Sequence, residues 1–222
     1  MNNKAALPVA ENWNRYWSLG QTKRFTKVSW SKRRIMNVLV PYLKKNGRAL
    51  DAGCGSGFFS NYFSQQGMKT TALDYSSEAL ALARRQSGNR IEAAQKDLLN
   101  DDLASAFGQS FDLIFSDGLL EHFSSLDQDK IMRNLLKVLA PGGILVTFVP
   151  NRWSPWELIR PLYMPGIEEK PFVLADLIAL NNRNGFKVRE QGGVNTFPFA
   201  LSPDRLVGRL FGMLLYTVAQ KS

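Results

Sequence analysis

The stretch from Arg48 to Phe59, Arg-Ala-Leu-Asp-Ala-Gly-Cys-Gly-Ser-Gly-Phe-Phe, restricts the chain more than any other. Ala49 to Ala52 reads as the end of a short apolar strand with a single acid, Asp51, near its carboxyl end. Gly53, Gly55 and Gly57 at alternate positions form a turn that no bulky side chain could follow, because glycine alone takes positive φ freely. Phe58, Phe59, Tyr62 and Phe63 recur at helical spacing, so a helix starts directly after the turn. Strand, glycine turn and helix N-terminus together make a nucleotide-binding crevice at the carboxyl edge of a parallel sheet. An α/β fold is the expectation.

The spacing is informative about the ligand. The dinucleotide fingerprint would place its third glycine at position 58, where Phe58 stands. A pyrophosphate would also be repelled by Asp51 at close range, whereas a ligand carrying positive charge would be attracted. S-adenosylmethionine, with an ammonium, a sulfonium and no phosphate, has that character. The stretch resembles the first motif of the class I S-adenosylmethionine-dependent methyltransferases, read here as Leu50-Asp51-x-Gly53-x-Gly55-x-Gly57. The resemblance implies a Rossmann-like, seven-stranded, mostly parallel sheet with helices on both faces and an antiparallel last strand. It also implies S-adenosylmethionine as cofactor, released as S-adenosylhomocysteine.

Downstream segments extend the resemblance. Lys69 to Asp74 reads as a second strand, and Asp74 lies 21 residues beyond Gly53, near the spacing expected for an acid holding a ribose diol. Tyr75 follows it and joins the candidate cofactor-binding residues, and Ser76-Ser77-Glu78 caps the next helix. Residues 90–95 suggest a third strand leading into Lys96-Asp97-Leu98. There the resemblance assigns the adenine amino group to Asp97 and the ring to the next backbone N–H, that of Leu98; a helix-capping role for Asp97 is the alternative. Residues 111–116 form the expected fourth strand, with Asp112 structural at its start. Residues 117–123, Asp-Gly-Leu-Leu-Glu-His-Phe, line the crevice opposite the glycines and resemble the Leu-Glu-His segment of small-molecule methyltransferases such as those of quinone biosynthesis. Some of those enzymes use a further glutamate three residues before the Glu-His pair for a divalent metal. Gly118 stands there, and no metal site is expected. His122, the only histidine, is the candidate general base, or else a structural histidine. Asp117 and Glu121 are candidates for the same work or for orienting the loop, and the resemblance adds Asp117 to the cofactor-binding set.

The organisation along the chain is that of one domain over residues 1–222, with a basic, aromatic lid segment at 1–47 and a cofactor-binding core at 48–150. A substrate-side insertion at 151–172 and a C-terminal helix with closing strands at 173–222 complete it. Residues 1–33 show no clean periodicity, while Ile35, Val38, Leu39, Tyr42 and Leu43 describe an amphipathic helix kinked or restarted at Pro41. Residues 127–139 make another, ended by Ala140-Pro141-Gly142-Gly143 before a buried strand at 144–149. The irregular stretch 151–171, with Arg152, Trp153, Trp156, Arg160 and Tyr163, is positioned to wall an acceptor pocket. A helix at 173–182, a strand at 186–194, a short helix at 203–211 and a closing strand at 213–219 finish the chain.

Charge is distributed unevenly. Of the net +9, residues 1–48 hold eleven Lys/Arg against Glu11 alone, and the remainder is close to neutral. Basic residues interleaved with Trp13, Tyr16, Trp17, Phe25 and Trp30 suit an anionic substrate, nucleic acid, an acidic membrane surface or simply a solvated helical face. Tyr16, Trp17 and Phe25 are candidate lid residues. One cysteine, Cys54, permits no intrachain disulfide, and it reads as a small residue in a tight turn. No apolar run approaches the ~18 residues of a bilayer span, and residues 1–17 lack a secretory h-region, so a cytoplasmic location is expected. The expected activity is methyl transfer to the oxygen, carbon or nitrogen of a small molecule, aromatic or anionic in character. The alternatives are an RNA or protein methyltransferase using the basic arm, and a cofactor-binding partner subunit without catalysis.

Overall fold

The computed structural model describes residues 10–163 and 169–221. Its seven-stranded sheet comprises β1 (Arg48–Ala52), β2 (Lys69–Asp74), β3 (Glu92–Gln95), β4 (Phe111–Asp117), β5 (Leu139–Pro150), β6 (Phe186–Val194) and β7 (Leu214–Lys221). The strand order is β3-β2-β1-β4-β5-β7-β6, parallel except for β7, which runs antiparallel between β5 and β6. From β1 the chain winds outward through β2 to β3, then returns to the other side of β1 with β4. The carboxyl ends of β1 and β4 therefore flank the switch point, where open α/β sheets take ligands.

Alternation along the central strands separates two apolar layers. Leu50, Ala52, Ile114, Leu145 and Val149 face one side, under α6 (Ser125–Val138) and α8 (Leu174–Arg183). Ala49, Leu113, Phe115, Val146 and Phe148 face the other, under α2 (Trp30–Leu39) and α3 (Phe58–Gln65). Asp112, at the start of β4, accepts from the backbone N–H of Arg48 at 2.8 Å and pairs with Lys44 at 2.8 Å, a structural role.

Several elements depart from the sequence reading. The N-terminal arm contains a regular helix, α1 (Ala10–Ser18), followed by a 3₁₀ helix at Gly20–Thr26. Helix α2 begins at Trp30, where Ser29 caps it by accepting from Lys32 N–H, and Pro41 falls in a separate 3₁₀ turn. Pro141-Gly142-Gly143 does not end the helix-to-strand connection but lies within β5. Leu139 already pairs with Phe111, and the ladder slips between Phe111 and Leu113, with Gly142 at φ +73°, as at a β-bulge. Part of the insertion is helical, α7 (Trp156–Tyr163), preceded by Ser154, whose Oγ accepts from Trp156 N–H. Helix α4 (Ser77–Ser87) is capped by Ser76 as expected, and a short helix α5 (Leu103–Phe107), capped by Asp102, had no sequence signal. Helix α9 (Asp204–Phe211) lies directly on β6: a Cβ on Gly208 would meet Gly193 O at 2.2 Å.

Candidate active site

A cavity of about 480 Å³ opens at the carboxyl ends of β1, β2 and β4, within the range of small-molecule sites. The glycine turn forms its floor. Gly53, Gly55 and Gly57 all have positive φ, which explains why this turn admits only glycine at those positions. Their surroundings differ. Gly53 and Gly55 line the cavity, and a Cβ on Gly55 would meet the Trp17 indole at 2.5 Å. Gly57 is outside the lining; a Cβ there would lie 2.3 Å from Ala83 Cα, so its service is to let α3 and α4 approach.

Asp51, Asp74, Tyr75, Asp97, Leu98 and Asp117 all line the cavity. Asp74 is fixed by two backbone donors, Gly55 N–H to Oδ2 and Ser76 N–H to Oδ1, each at 2.9 Å. Each oxygen retains a second lone pair, so the carboxylate can still accept from a diol. Asp97 is engaged in its own turn, accepting from Leu99 N–H at 2.8 Å and Asn100 Nδ2 at 2.7 Å. The helix-cap alternative for Asp97 thus becomes an Asx turn that holds the loop at the cavity wall.

Asp51 and Asp117 are the charged heart of the site. Asp51 is buried and accepts from Ser60 Oγ at 2.5 Å; burial pushes its carboxyl up to about 7. Burial likewise pushes Asp117 up to about 6, with Lys32 opposing the rise. Lys32 is itself lowered to about 8 by burial, held by the carbonyls of Phe25 and Lys27 and lying 3.9 Å over the Phe58 ring. Acids outnumber bases around the cavity: Asp51, Asp74, Asp97, Asp117, Glu121 and Glu169 face Lys32, Lys96 and His122. A chain with net charge +9 has therefore concentrated negative charge in its pocket.

The roof is aromatic. Trp13, Tyr16, Trp17 and Phe25 line the cavity from above, linked by edge contacts of 5.1 to 6.1 Å between ring centres. Polar bonds tie this segment to the core: Ser56 Oγ donates to Phe25 O, Gln86 Nε2 to Thr26 O, and Ser76 Oγ to Asn14 Oδ1.

Opposite the glycines, Gln128 Nε2 donates to the carbonyls of Leu120 and Phe123 and fixes the 3₁₀ turn Leu120–His122. His122 meets the cavity with its ring edge-on to Trp13, centres 5.0 Å apart. Glu121 is buried, and its Oε2 has no hydrogen-bond partner among the described residues; burial raises its carboxyl well above the usual range. Glu169 comes from the insertion, paired with Arg160 at 3.5 Å. Glu121, His122 and Glu169 each offer a ligand atom within 4.8 Å of the others, a donor set of the kind divalent cations accept. The expectation of no metal rested on Gly118; the fold supplies a third donor from 47 residues beyond His122, and no sequence motif announced it. Lys32 was also missed, because its stem reads as part of a basic helical face.

Among the described residues Glu169 is the insertion's cavity-lining member, Trp153 is 64% exposed, and Arg160 is occupied by Glu157 and Glu169. The Tyr163 side chain lies outside the described residues.

The comparisons with known proteins fit this geometry. A malonyl-[acyl-carrier protein] O-methyltransferase of Enterobacter lignolyticus is 40% identical over 116 residues, 51% of this chain and 44% of that protein. A ubiquinone biosynthesis O-methyltransferase of Aeromonas salmonicida is 26% identical over 165 residues, 69% of this chain and 68% of that protein. The chain spans about half the length of the first of these relatives. Among solved structures, the N-methyltransferase NodS of Bradyrhizobium japonicum in complex with S-adenosyl-L-homocysteine superposes with TM-score 0.68 at 19% identity, covering 96% of this chain and 97% of that one. The putative methyltransferase complexed with the Trm112 methyltransferase activator of Haloferax volcanii gives TM-score 0.69 at 19% identity, covering 94% and 97%. These two likenesses establish the fold. A family model described as a methyltransferase domain matches residues 22–191, and the chain belongs to that family.

Proposed function

We propose that this protein is an S-adenosylmethionine-dependent methyltransferase acting in the cytoplasm on the oxygen of a small molecule. The observation that carries the reading is the pairing of a glycine turn with two carboxylates, buried Asp51 and half-buried Asp74, in a roofed cavity whose charged lining residues are mainly acidic. Such a site suits a cationic nucleoside ligand and repels a pyrophosphate. Oxygen is preferred as acceptor atom because the named sequence relatives are O-methyltransferases.

The cofactor's functional groups match the residues present. Asp74 has free lone pairs for the ribose diol, the loop around Asp97 and Leu98 offers the adenine edge, and Asp51 balances the amino-acid ammonium. When bound there, S-adenosylmethionine supplies a methyl group already activated on a sulfonium. The chain's own residues then have three tasks. Gly53 and Gly55 shape the cavity floor at positive φ and leave room for Leu119 and the Trp17 indole, and the Trp13, Tyr16, Trp17 and Phe25 roof excludes water. His122, at the cavity wall opposite the glycines, accepts the proton of the acceptor hydroxyl.

Calorimetric titration with S-adenosylhomocysteine tests the cofactor assignment. Tight binding by the native chain and loss of at least about tenfold in Asp74→Ala are expected, since a charge-assisted bond is worth about 1.5–3 kcal/mol. Unchanged affinity in that variant, or binding of a nicotinamide dinucleotide instead, refutes the layout. Retention of RNA that collapses steeply with salt, together with methyl incorporation into it, would favour a nucleic-acid acceptor.

A further inference from the structure

We propose that the edge of the fold beside the cavity mouth is a docking surface for an anionic lipid bilayer. The inference stands apart from the methyl-transfer reading, since it rests on the outside of α9 and the loop before it. Leu201 and Leu206 are 88% and 86% exposed, Phe199 68% and Leu210 58%, a concentration of large apolar side chains within twelve residues. Isolated exposed leucines are ordinary, but four large apolar side chains exposed within so short a segment mark an interaction site.

The geometry explains why these side chains point outward. Gly208 and Gly193 bring α9 into backbone contact with β6; a Cβ on Gly193 would lie 1.9 Å from Gly208 O. The helix is held by its small face, so Leu206 and Leu210, four residues apart, share the opposite one. Arg205 and Arg209 flank them and are exposed. Asp204, the acid of the same helix, is turned inward: it accepts from Asn195 N–H and Thr196 N–H and pairs with Arg34 at 3.2 Å.

The face is anchored at the ligand edge of the sheet. β6 runs parallel to β5 with β7 between them, so the loop after Val194 emerges one strand away from Pro150, at the same edge as the cavity. Arg34 of α2 donates to Asn195 Oδ1 and to the carbonyls of Phe197 and Phe199, and Asn151 Nδ2 donates to the carbonyls of Leu210 and Gly212. Exposed Lys27 and Arg33 belong to the segment bound through Arg34 and add positive charge on this side, whereas Lys44, Lys45 and Arg48 lie at the amino end of β1, on the opposite edge. An amphipathic helix with exposed arginines beside its apolar face, and with Lys27 and Arg33 exposed on the segment tied to its loop, matches the headgroup and acyl layers of an anionic bilayer. A second copy of the chain would bring the same positive charge against this face and is disfavoured.

Co-sedimentation of the full chain with vesicles decides the matter. Binding to phosphatidylcholine vesicles containing phosphatidylglycerol, little binding to phosphatidylcholine alone, and release by added salt are expected. R205Q/R209Q should weaken binding about 25-fold, from about fivefold per cationic side chain at such a surface. L206Q/L210Q should weaken it by at least about tenfold through lost apolar insertion. Both variants change exposed side chains and should keep the far-UV spectrum and S-adenosylhomocysteine affinity of the native chain. Three results overturn the proposal: no binding of the native chain to the anionic vesicles, equal binding by both double variants, or a native dimer in sedimentation velocity that L206Q/L210Q converts to monomer. None of these depends on whether the native chain binds the cofactor, so the methyl-transfer reading fails or stands separately.

Discussion

Asp51 offers the sharpest test of the site's electrostatics, because replacing it by asparagine removes the charge and keeps the shape. In the ligand-free protein its carboxyl is pushed from 3.8 to about 7, chiefly by burial, with Ser60 offsetting part of the rise. That change corresponds to about 4 kcal/mol of penalty on the ionised form. The folded-state value lies above the unfolded one, so the protonated acid favours folding. Its contribution is whole below pH 3.8 and is lost as pH climbs through about 7. Asp51→Asn has no such dependence and can still accept from Ser60 Oγ. Relative to that variant, the native chain should lose about 2.5 kcal/mol between pH 5 and pH 8. Urea unfolding of both chains without ligand, at both pH values, measures it. Asp117 and Glu121 titrate in both chains, and their effect largely cancels in the difference. A difference that stays constant to within about 0.5 kcal/mol would mean that Asp51 is solvated and the desolvation argument is wrong.

The same residue links the argument to ligand binding. A cationic ligand beside Asp51 restores the charged form, so binding should expel the proton held by the free protein. Calorimetry in buffers of different ionisation enthalpy should report release of about one proton at pH 6 and almost none at pH 9. The asparagine variant should release much less at pH 6. Proton uptake by the native chain at pH 6 would show that the ligand's positive groups lie elsewhere.

The remaining predictions separate the roles of neighbouring residues. Gly57→Ala should cost about 2–4 kcal/mol in chemical unfolding, because its Cβ runs into the Ala83 backbone at a left-handed φ; a native-like midpoint refutes that account. Gly55→Ala meets a movable indole instead, so its loss should appear mainly as weaker cofactor affinity and increased Trp17 exposure to quencher, with the unfolding midpoint falling less than in Gly57→Ala. His122→Asn should lower turnover by about a hundredfold or more while S-adenosylhomocysteine affinity changes little; retained turnover removes its role as base.

How far the site was legible in the sequence follows from the range of the interactions. The glycine turn depends on backbone conformation over a few residues and the Asp74 spacing on one strand-helix-strand unit, and both leave a mark in the order of amino acids. Ser76 and Ser29 cap their helices by the same local logic, although Ser29 was overlooked in an arm without clear apolar periodicity. Three glycines with one sequence signature nevertheless have different surroundings: Gly55 faces an aromatic roof and Gly57 a neighbouring helix. The turn's φ values are local, whereas what lies across from each Cα is tertiary. The same distinction explains Glu169, which reaches His122 from a segment whose sequence reads only as irregular. It also explains Lys32, whose half-buried position over Phe58 is invisible in a run of basic residues. Pro141-Gly142-Gly143 misled for the opposite reason, since a bulge inside a strand uses the same residues as a break before one.

That division bears on specificity within the family. The end of the cavity floored by the glycine turn is specified by local motifs, while the end holding Glu121, His122 and Glu169 is assembled from separate segments. Local motifs tolerate little change, because a Cβ at Gly53 or Gly57 would have to be accommodated at positive φ against Leu119 or Ala83. A contact made between two distant segments can be altered by substituting either one, without disturbing the glycine turn. Exchanging Glu169 for glutamine should therefore change acceptor kinetics and leave cofactor affinity nearly constant. A comparable loss in both would show that the two ends are one electrostatic unit, with the acids of the far end sensed by the cationic ligand across the cavity.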